Sequence, residues 1–366
     1  MAYQLALLLL TFLLTLHSAS AGTPNGDSSS GSLRLPPAYT SERAALLSAR
    51  ALGEMVAVNR SRPGFPTVQV RCGDSLPRTP YTIRCIGGYP VGGLVLEPPR
   101  PPRQTAVWLH GLTDEPILYL TVLSLLLSDA PADPWASTRI LMPLAPVYKE
   151  LRFSPAADQP LPSKNVHAWF DLSPLFPALL PGGVPGNTSA QVAASLASSP
   201  VGEDRLGLAL STARLVDLVT AQAQGCLGAG ISPVATSATA IIGHSLGAFM
   251  AWHLAIRSGV EWSGVVALSG GLPLTPLYAH VPALGRSESP RSAVVSFAGD
   301  GDTIVAPLLS GGAAVTGTGI LGKEAVSHTV LRGSEHVSYL VGDPNTPRVR
   351  TALASVVRGD LRNSRV

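Results

Sequence analysis

Charge is scarce in this chain. Charged residues are 13% of the 366 and the net charge is +3, too small and too dispersed for a protein that grips nucleic acid. Aromatic residues are only 5%, and none interleave with basic clusters, so a base-stacking surface is not expected either. His167, His253, His280 and His328 are scattered, and no pair has the H-x-x-x-H spacing of a zinc site. No metal or organic cofactor is implied. No internal repeat is visible. Gly311-Gly312 and Gly317-Thr318-Gly319 read as a small-residue loop, with no lysine or helix start to cradle phosphate.

Long apolar runs are also few. Leu5 to Leu16 is nearly unbroken but short of the ~20 residues a membrane span needs. Ala19-Ser20-Ala21 follows, an A-x-A cleavage pattern ahead of polar Gly22 to Asp27. We read 1–21 as a secretory signal peptide, although its first residues carry no Lys or Arg; an N-terminal membrane anchor is the alternative. No second such run and no C-terminal retention signal is seen. A secreted or luminal protein with no membrane span after cleavage is expected. The glycosylation triplets Asn59-Arg60-Ser61 and Asn187-Thr188-Ser189 agree with that route. So does cysteine usage. Cys72 and Cys85 flank a short proline-containing loop and should pair in an oxidising compartment, two buried thiols being the alternative. Cys226 is left over, with a packing role.

Apolar residues, by contrast, are 46% of the chain, enough for one large core with an N-terminal appendage. Gly22 to Ser32 is a Gly/Ser-rich linker, 22–32. Residues 33–103 read as an extension: an amphipathic helix from Thr40 to about Val58, then strands at Thr67–Arg71, Thr82–Ile86 and Gly92–Leu96. These would add a docking helix and one or two edge strands to the sheet. Pro98, Pro99, Pro101 and Pro102 punctuate the approach to the main domain, 104–366.

That domain contains the informative stretch, Gly243-His244-Ser245-Leu246-Gly247. The β-branched run Ala238–Ile242 precedes it, and a helix-like segment from Leu246 to Ile256 follows, stopping near Gly259. A strand–turn–helix with Ser at the corner is a nucleophile elbow. Glycine is needed on both sides because the corner leaves no room for a Cβ. A Ser nucleophile needs a base, and the base a carboxylate, in the order Ser, Asp, His, each after a strand. Ala293–Phe297 leads into Gly299-Asp300-Gly301-Asp302, and Thr329–Leu331 into Gly333-Ser334-Glu335-His336. His336 is the candidate base and Asp302 its partner, with Asp300 as competitor and otherwise a turn former. The backbone N–H of Leu246 is one candidate oxyanion donor. The N–H of Leu112 is the other, in His110-Gly111-Leu112-Thr113-Asp114 after the strand Thr105–Leu109. His110 reads as structural.

Several segments then resemble the acyl-protein thioesterase group of the phospholipase/carboxylesterase family. Leu109-His110-Gly111-Leu112 with Asp114 is similar to its L-H-G-L-G-D. Pro143-Leu144-Ala145-Pro146-Val147 is similar to P-x-A-P-V, and Trp169-Phe170-Asp171 to W-F-D. Ser263 to Ser269 with Leu272-Pro273-Leu274, Gly299 to Asp302, and Gly333 to His336 complete a collinear set over about 104–357. The resemblance implies an α/β-hydrolase fold, a mostly parallel sheet with helices on both faces. It also implies an esterase or thioesterase with the triad Ser245, Asp302 and His336, acting on a lipid or lipidated protein. His244 and Leu246 depart from the family and read more like a lipase elbow. The leader also departs from its cytosolic members.

After Trp169-Phe170-Asp171 the chain is apolar but broken by prolines, so an ordinary helix or central strand is excluded there. In the resembled family this region borders the site. Trp169, Phe176 and Leu179, with Leu175 and Leu180, are candidates for an acyl-chain groove or lid; the alternative is a loop packed on the sheet. Cleavage of acyl esters or thioesters through an acyl-enzyme is therefore expected. The alternatives are a lipase or lysophospholipase, and a catalytically silent secreted binding protein.

Overall fold

The computed structural model describes residues 71–86, 92–112, 114–128, 132–148, 166–171, 204–228, 230–273, 278 and 292–360. Among them, eight strands form one sheet. They are β1 (Thr82–Ile86), β2 (Gly93–Glu97), β3 (Gln104–Leu109), β4 (Thr138–Pro143), β5 (Thr239–His244), β6 (Gly264–Leu268), β7 (Val294–Gly299) and β8 (Val326–Leu331). Their spatial order is β1-β2-β4-β3-β5-β6-β7-β8. β2 runs antiparallel to both neighbours, and the remaining pairs are parallel. A two-residue antiparallel pair, Val147–Tyr148 with Val166–His167, stands apart.

The central strands are buried from end to end. That is why their sequences are continuous apolar runs rather than alternations. Alternation survives in which face each residue serves. Val107, Leu109, Leu141, Ile241 and Val265 face a core built with α2 (Arg205–Ala223), α3 (Leu246–Arg257) and α4 (Pro307–Leu321). Ala106, Trp108, Ile140, Ile242 and Val266 face a second core built with α1 (Tyr119–Ser128) and α5 (Thr346–Arg358). Helices on both faces of a largely parallel sheet, with this strand order and a sharp β5–α3 corner, make the α/β-hydrolase fold.

Local signals place the ends. The Asp204 carboxylate accepts from the Gly207 N–H at 2.8 Å and caps α2. Gly359, at φ 74, closes α5 in the left-handed conformation. β1 and β2 are the added edge strands, and Cys72 is bonded to Cys85 of β1, their Cα atoms 5.6 Å apart. Of the strand expected at Thr67–Arg71 only Arg71 is described, and it lies outside any strand; residues 67–70, the helix from Thr40 and residues 1–32 lie outside the described residues.

One expectation is corrected. The glycine-rich stretch 311–319 is not a loop but lies within α4, opened by Pro307 at its first turn. A Cβ on Gly317 would stand 2.5 Å from the Trp252 ring, so the small residue lets α4 lie against the large one. Trp252 is fully buried in that core. Burying a whole tryptophan offset the low helix propensity of four glycines.

Candidate active site

At the end of β5 the chain turns through Ser245 into α3. Ser245 has φ 54 and ψ −121, a strained conformation for a residue with a side chain. The flanking glycines explain how so tight a corner closes. A Cβ on Gly243 would stand 2.1 Å from the Gly247 carbonyl oxygen, and one on Gly247 2.1 Å from that of Leu109. Between Thr239 and Leu254 every residue is buried except Ser245. The corner therefore holds one polar side chain out of the core. Leu246 is the first residue of α3, where backbone N–H groups have no partner within the helix and the dipole favours negative charge.

Asp302 and His336 come from loops after β7 and β8. Their side chains meet, Nδ1 of His336 lying 2.8 Å from Oδ2 of Asp302. A carboxylate only accepts, so the imidazole proton sits on Nδ1 and the Nε2 lone pair is free to act as a base. The other Asp302 oxygen accepts from the N–H groups of Ile304 (2.9 Å) and Val305 (2.8 Å). Burial alone would raise the Asp302 pKa. The His336 bond and charge and these two backbone donors outweigh it and hold the carboxyl below its ordinary value. Asp300 is exposed and accepts from the Gly333 N–H at 2.7 Å, a bond to the loop that carries His336 rather than the local turn bond that was its alternative. The base loop is braced further on. Asp343 accepts from the Ser334 and Ser338 hydroxyls at 2.6 and 2.8 Å, and Asn345 donates to the Arg332 carbonyl at 3.0 Å.

The third loop follows β3. Its Gly111 comes close to the elbow: a Cβ there would fall 3.3 Å from that of Ser245 and 2.5 Å from Asp114 Oδ2. Leu112, half-buried, is the next residue. His110 is structural. Its Nε2 accepts the Ala145 N–H at 3.0 Å, so Nδ1 carries the proton and donates to the Gly111 carbonyl at 2.8 Å. Burial lowers its pKa to about 4, keeping it neutral.

Trp169, expected in the substrate groove, is instead 1% exposed. Its indole N–H donates to the His110 carbonyl at 2.9 Å, and its own carbonyl accepts from Ser211. It supports the Gly111 loop from beneath rather than lining an open wall. Phe176, Leu179, Asn59 and Asn187 lie outside the described residues. Cys226 is a half-buried free thiol. Among the described residues no group of three or more His, Cys, Asp or Glu could hold a metal, and no helix is long and apolar enough to cross a membrane.

Sequence reasoning missed two residues that join these loops. Tyr119 opens α1, and its hydroxyl accepts the Gly111 N–H at 3.0 Å and lies 2.8 Å from both Asp114 Oδ2 and His244 Nδ1. His244 also lies 3.0 Å, through Nε2, from the His336 carbonyl. The available signal was a polar residue in a strand position that must be buried, which has to find partners.

No protein-family model matches the sequence, and no curated protein matches it. Among solved structures it is similar to acyl-protein thioesterase 2 of Zea mays, at 18% identity and TM-score 0.49, covering 72% of this chain and 97% of that one. SOBER1 of Arabidopsis thaliana matches at 17% and 0.45, covering 71% and 99%. Esterase PE8 matches at 18% and 0.45, covering 72% and 98%. At this distance their names transfer no chemistry to this chain; what its site can do follows from the atoms above.

Proposed function

We propose that the protein is a serine hydrolase that cleaves acyl esters or thioesters. The observation that carries the proposal is the Asp302–His336 bond of 2.8 Å, formed between loops at the same end of the sheet as the strained Ser245 corner. In this reading Ser245 Oγ attacks the acyl carbonyl while His336 Nε2 takes its proton. The backbone N–H groups of Leu246 and Leu112 receive the oxyanion. His336 then protonates the departing alcohol or thiol, leaving an acyl group on Ser245. A water that gives its proton to the same nitrogen releases the acid. Asp302 stays ionised throughout and stabilises the imidazolium.

The lipase-like His244 and Leu246 favour a second reading, a lipase or lysophospholipase using the same three residues. Passage through the secretory pathway is supported by the apolar leader and by the Cys72–Cys85 bond, which belongs to oxidising compartments. The test is fluorophosphonate labelling of the secreted protein, with Ser245→Ala as control, beside a chain-length series of acyl esters and thioesters. Labelling lost in the variant supports the nucleophile, and the preferred chain and headgroup separate esterase, thioesterase and lipase. A folded protein that is never labelled overturns the proposal in favour of a silent binding protein.

A further inference from the structure

His244 is the last residue of β5, next to Ser245, and is 2% exposed. A buried imidazole must satisfy two nitrogens, and here they reach in opposite directions. Burial, with the His336 charge opposing a second one, lowers its pKa to about 4, so the ring is neutral and carries one proton. The His336 carbonyl can only accept, so that proton lies on Nε2 and is donated across 3.0 Å. Nδ1 then faces the Tyr119 hydroxyl at 2.8 Å, whose single proton is shared between Nδ1 and Asp114 Oδ2. Through Tyr119 the chain continues to the Gly111 N–H and Asp114. One side chain thus joins the elbow, the Gly111 loop and the base loop.

What it grips matters. His336 follows β8, an edge strand whose residues are mostly half-buried, whereas β5 is buried throughout. The Asp302 bond fixes one atom of the imidazole, and the Asp300, Asp343 and Asn345 bonds hold the loop on either side of His336, but none of these reaches the strand that carries Ser245. The His244 bond to the His336 carbonyl ties that backbone to β5 directly. The His244 and His336 rings lie close as well, centroids 4.8 Å apart.

Resting on the hydrolase reading, we propose that His244 is a positioning residue: it locks the backbone of His336 relative to Ser245 and to the Gly111 loop. Three substitutions dissect it. His244→Phe keeps the ring and loses both bonds. His244→Gln places an amide N–H near the Nε2 position and keeps the His336 bond. His244→Asn places its amide near Nδ1, keeps contact with Tyr119 and falls short of His336. The probe is p-nitrophenyl butyrate, together with the downfield proton resonance of the His336 Nδ1–H in 15N-histidine-labelled protein.

His244→Phe and His244→Asn should lower kcat about 10- to 100-fold, as loose placement of a catalytic group does. Their KM should stay within about twofold and the resonance should broaden or vanish. His244→Gln should restore both. Unchanged kcat and resonance in His244→Asn, or a folded His244→Gln as impaired as His244→Asn, would overturn the proposal. His244→Asn serves if His244→Phe does not fold. A wild-type protein that neither turns over ester nor takes up fluorophosphonate, yet shows a resonance governed by residue 244, would overturn the hydrolase reading and leave the positioning role standing.

Discussion

Gly247 and Leu109 approach so closely that a Cβ on the first would lie 2.1 Å from the carbonyl oxygen of the second. The obstacle is backbone of the neighbouring β3 and cannot swing away. Gly247→Ala should therefore cost about 3 kcal/mol or more, a fall in Tm of about 5–10 °C. Gly319 of α4 has nothing within 4 Å of its Cβ position and no positive φ. Gly319→Ala should raise stability by about 0.5–1 kcal/mol. Thermal melts of both variants check the pair, and equal shifts would refute the steric account.

Asp302→Asn should lower kcat about 10³- to 10⁴-fold with little change in KM, because an amide can donate to Nδ1 and stabilise the wrong tautomer. Asp300→Asn should stay within about threefold of wild type, since its carboxylate holds only the Gly333 turn. Steady-state kinetics on a short acyl ester decide between them. Equal losses would return the choice of carboxylate to open.

Stability should fall in mild acid. His110, His244 and His253 are each held near pKa 4, chiefly by burial, against 6.5 for an unperturbed histidine. Between those values the unfolded chain takes up protons that the folded one refuses. Their full stabilisation is therefore present above about pH 6.5 and drains away toward pH 4. Each should account for about 1–2 kcal/mol between pH 7 and pH 5. Asp302, with its pKa lowered, adds a further loss below its ordinary range. Urea unfolding at pH 7 and pH 5 measures the slope, and His253→Gln should flatten it. A flat profile in the wild type would show that these rings titrate normally.

Removing the Cys72–Cys85 bond closes off no chemistry but frees an edge. The bond spans 13 positions, and opening such a loop costs about 2–3 kcal/mol. β1 and β8 lie at opposite edges of the sheet. Cys72→Ser with Cys85→Ser should thus lower the urea midpoint and speed hydrogen exchange in β1 first, while kcat is retained. Loss of kcat in step with the midpoint would show that the edge and the site unfold together.

The apolar, proline-broken stretch after Asp171 yields a chain-length prediction. Phe176→Ser or Leu179→Ser should reduce turnover of long-chain esters more than of acetate esters, because only a long acyl chain would reach an apolar wall. Equal losses across the series would remove these side chains from the groove.

Much of the site was legible because it is written in local backbone demands. Gly243, Ser245 and Gly247 follow from the geometry of one corner, and His336 from its place after a strand. The strand at Thr82–Ile86 was read to the residue, and the elbow helix to within one residue of its end at Arg257. The misreading of 311–319 has a different cause. Propensity counts glycines, while the structure counts what presses against them, and Trp252 needed a smooth partner. Trp169 was misplaced for a similar reason, since a motif says that an indole is wanted but not whether its N–H faces substrate or the His110 carbonyl.

The sequence by itself determined where Ser245, Asp302 and His336 fall along the chain, because each rides on a short strand–loop signal of a few residues. The sequence also preferred Asp302 to Asp300 as the partner of His336. The tertiary structure supplied the contact, Nδ1 of His336 lying 2.8 Å from Asp302 Oδ2 while the other oxygen is held by the Ile304 and Val305 N–H groups. It also decided that His244 and Tyr119 share a bond across 125 positions of chain. No local pattern encodes such a contact, because the partner of a buried polar atom is fixed by how the whole sheet packs.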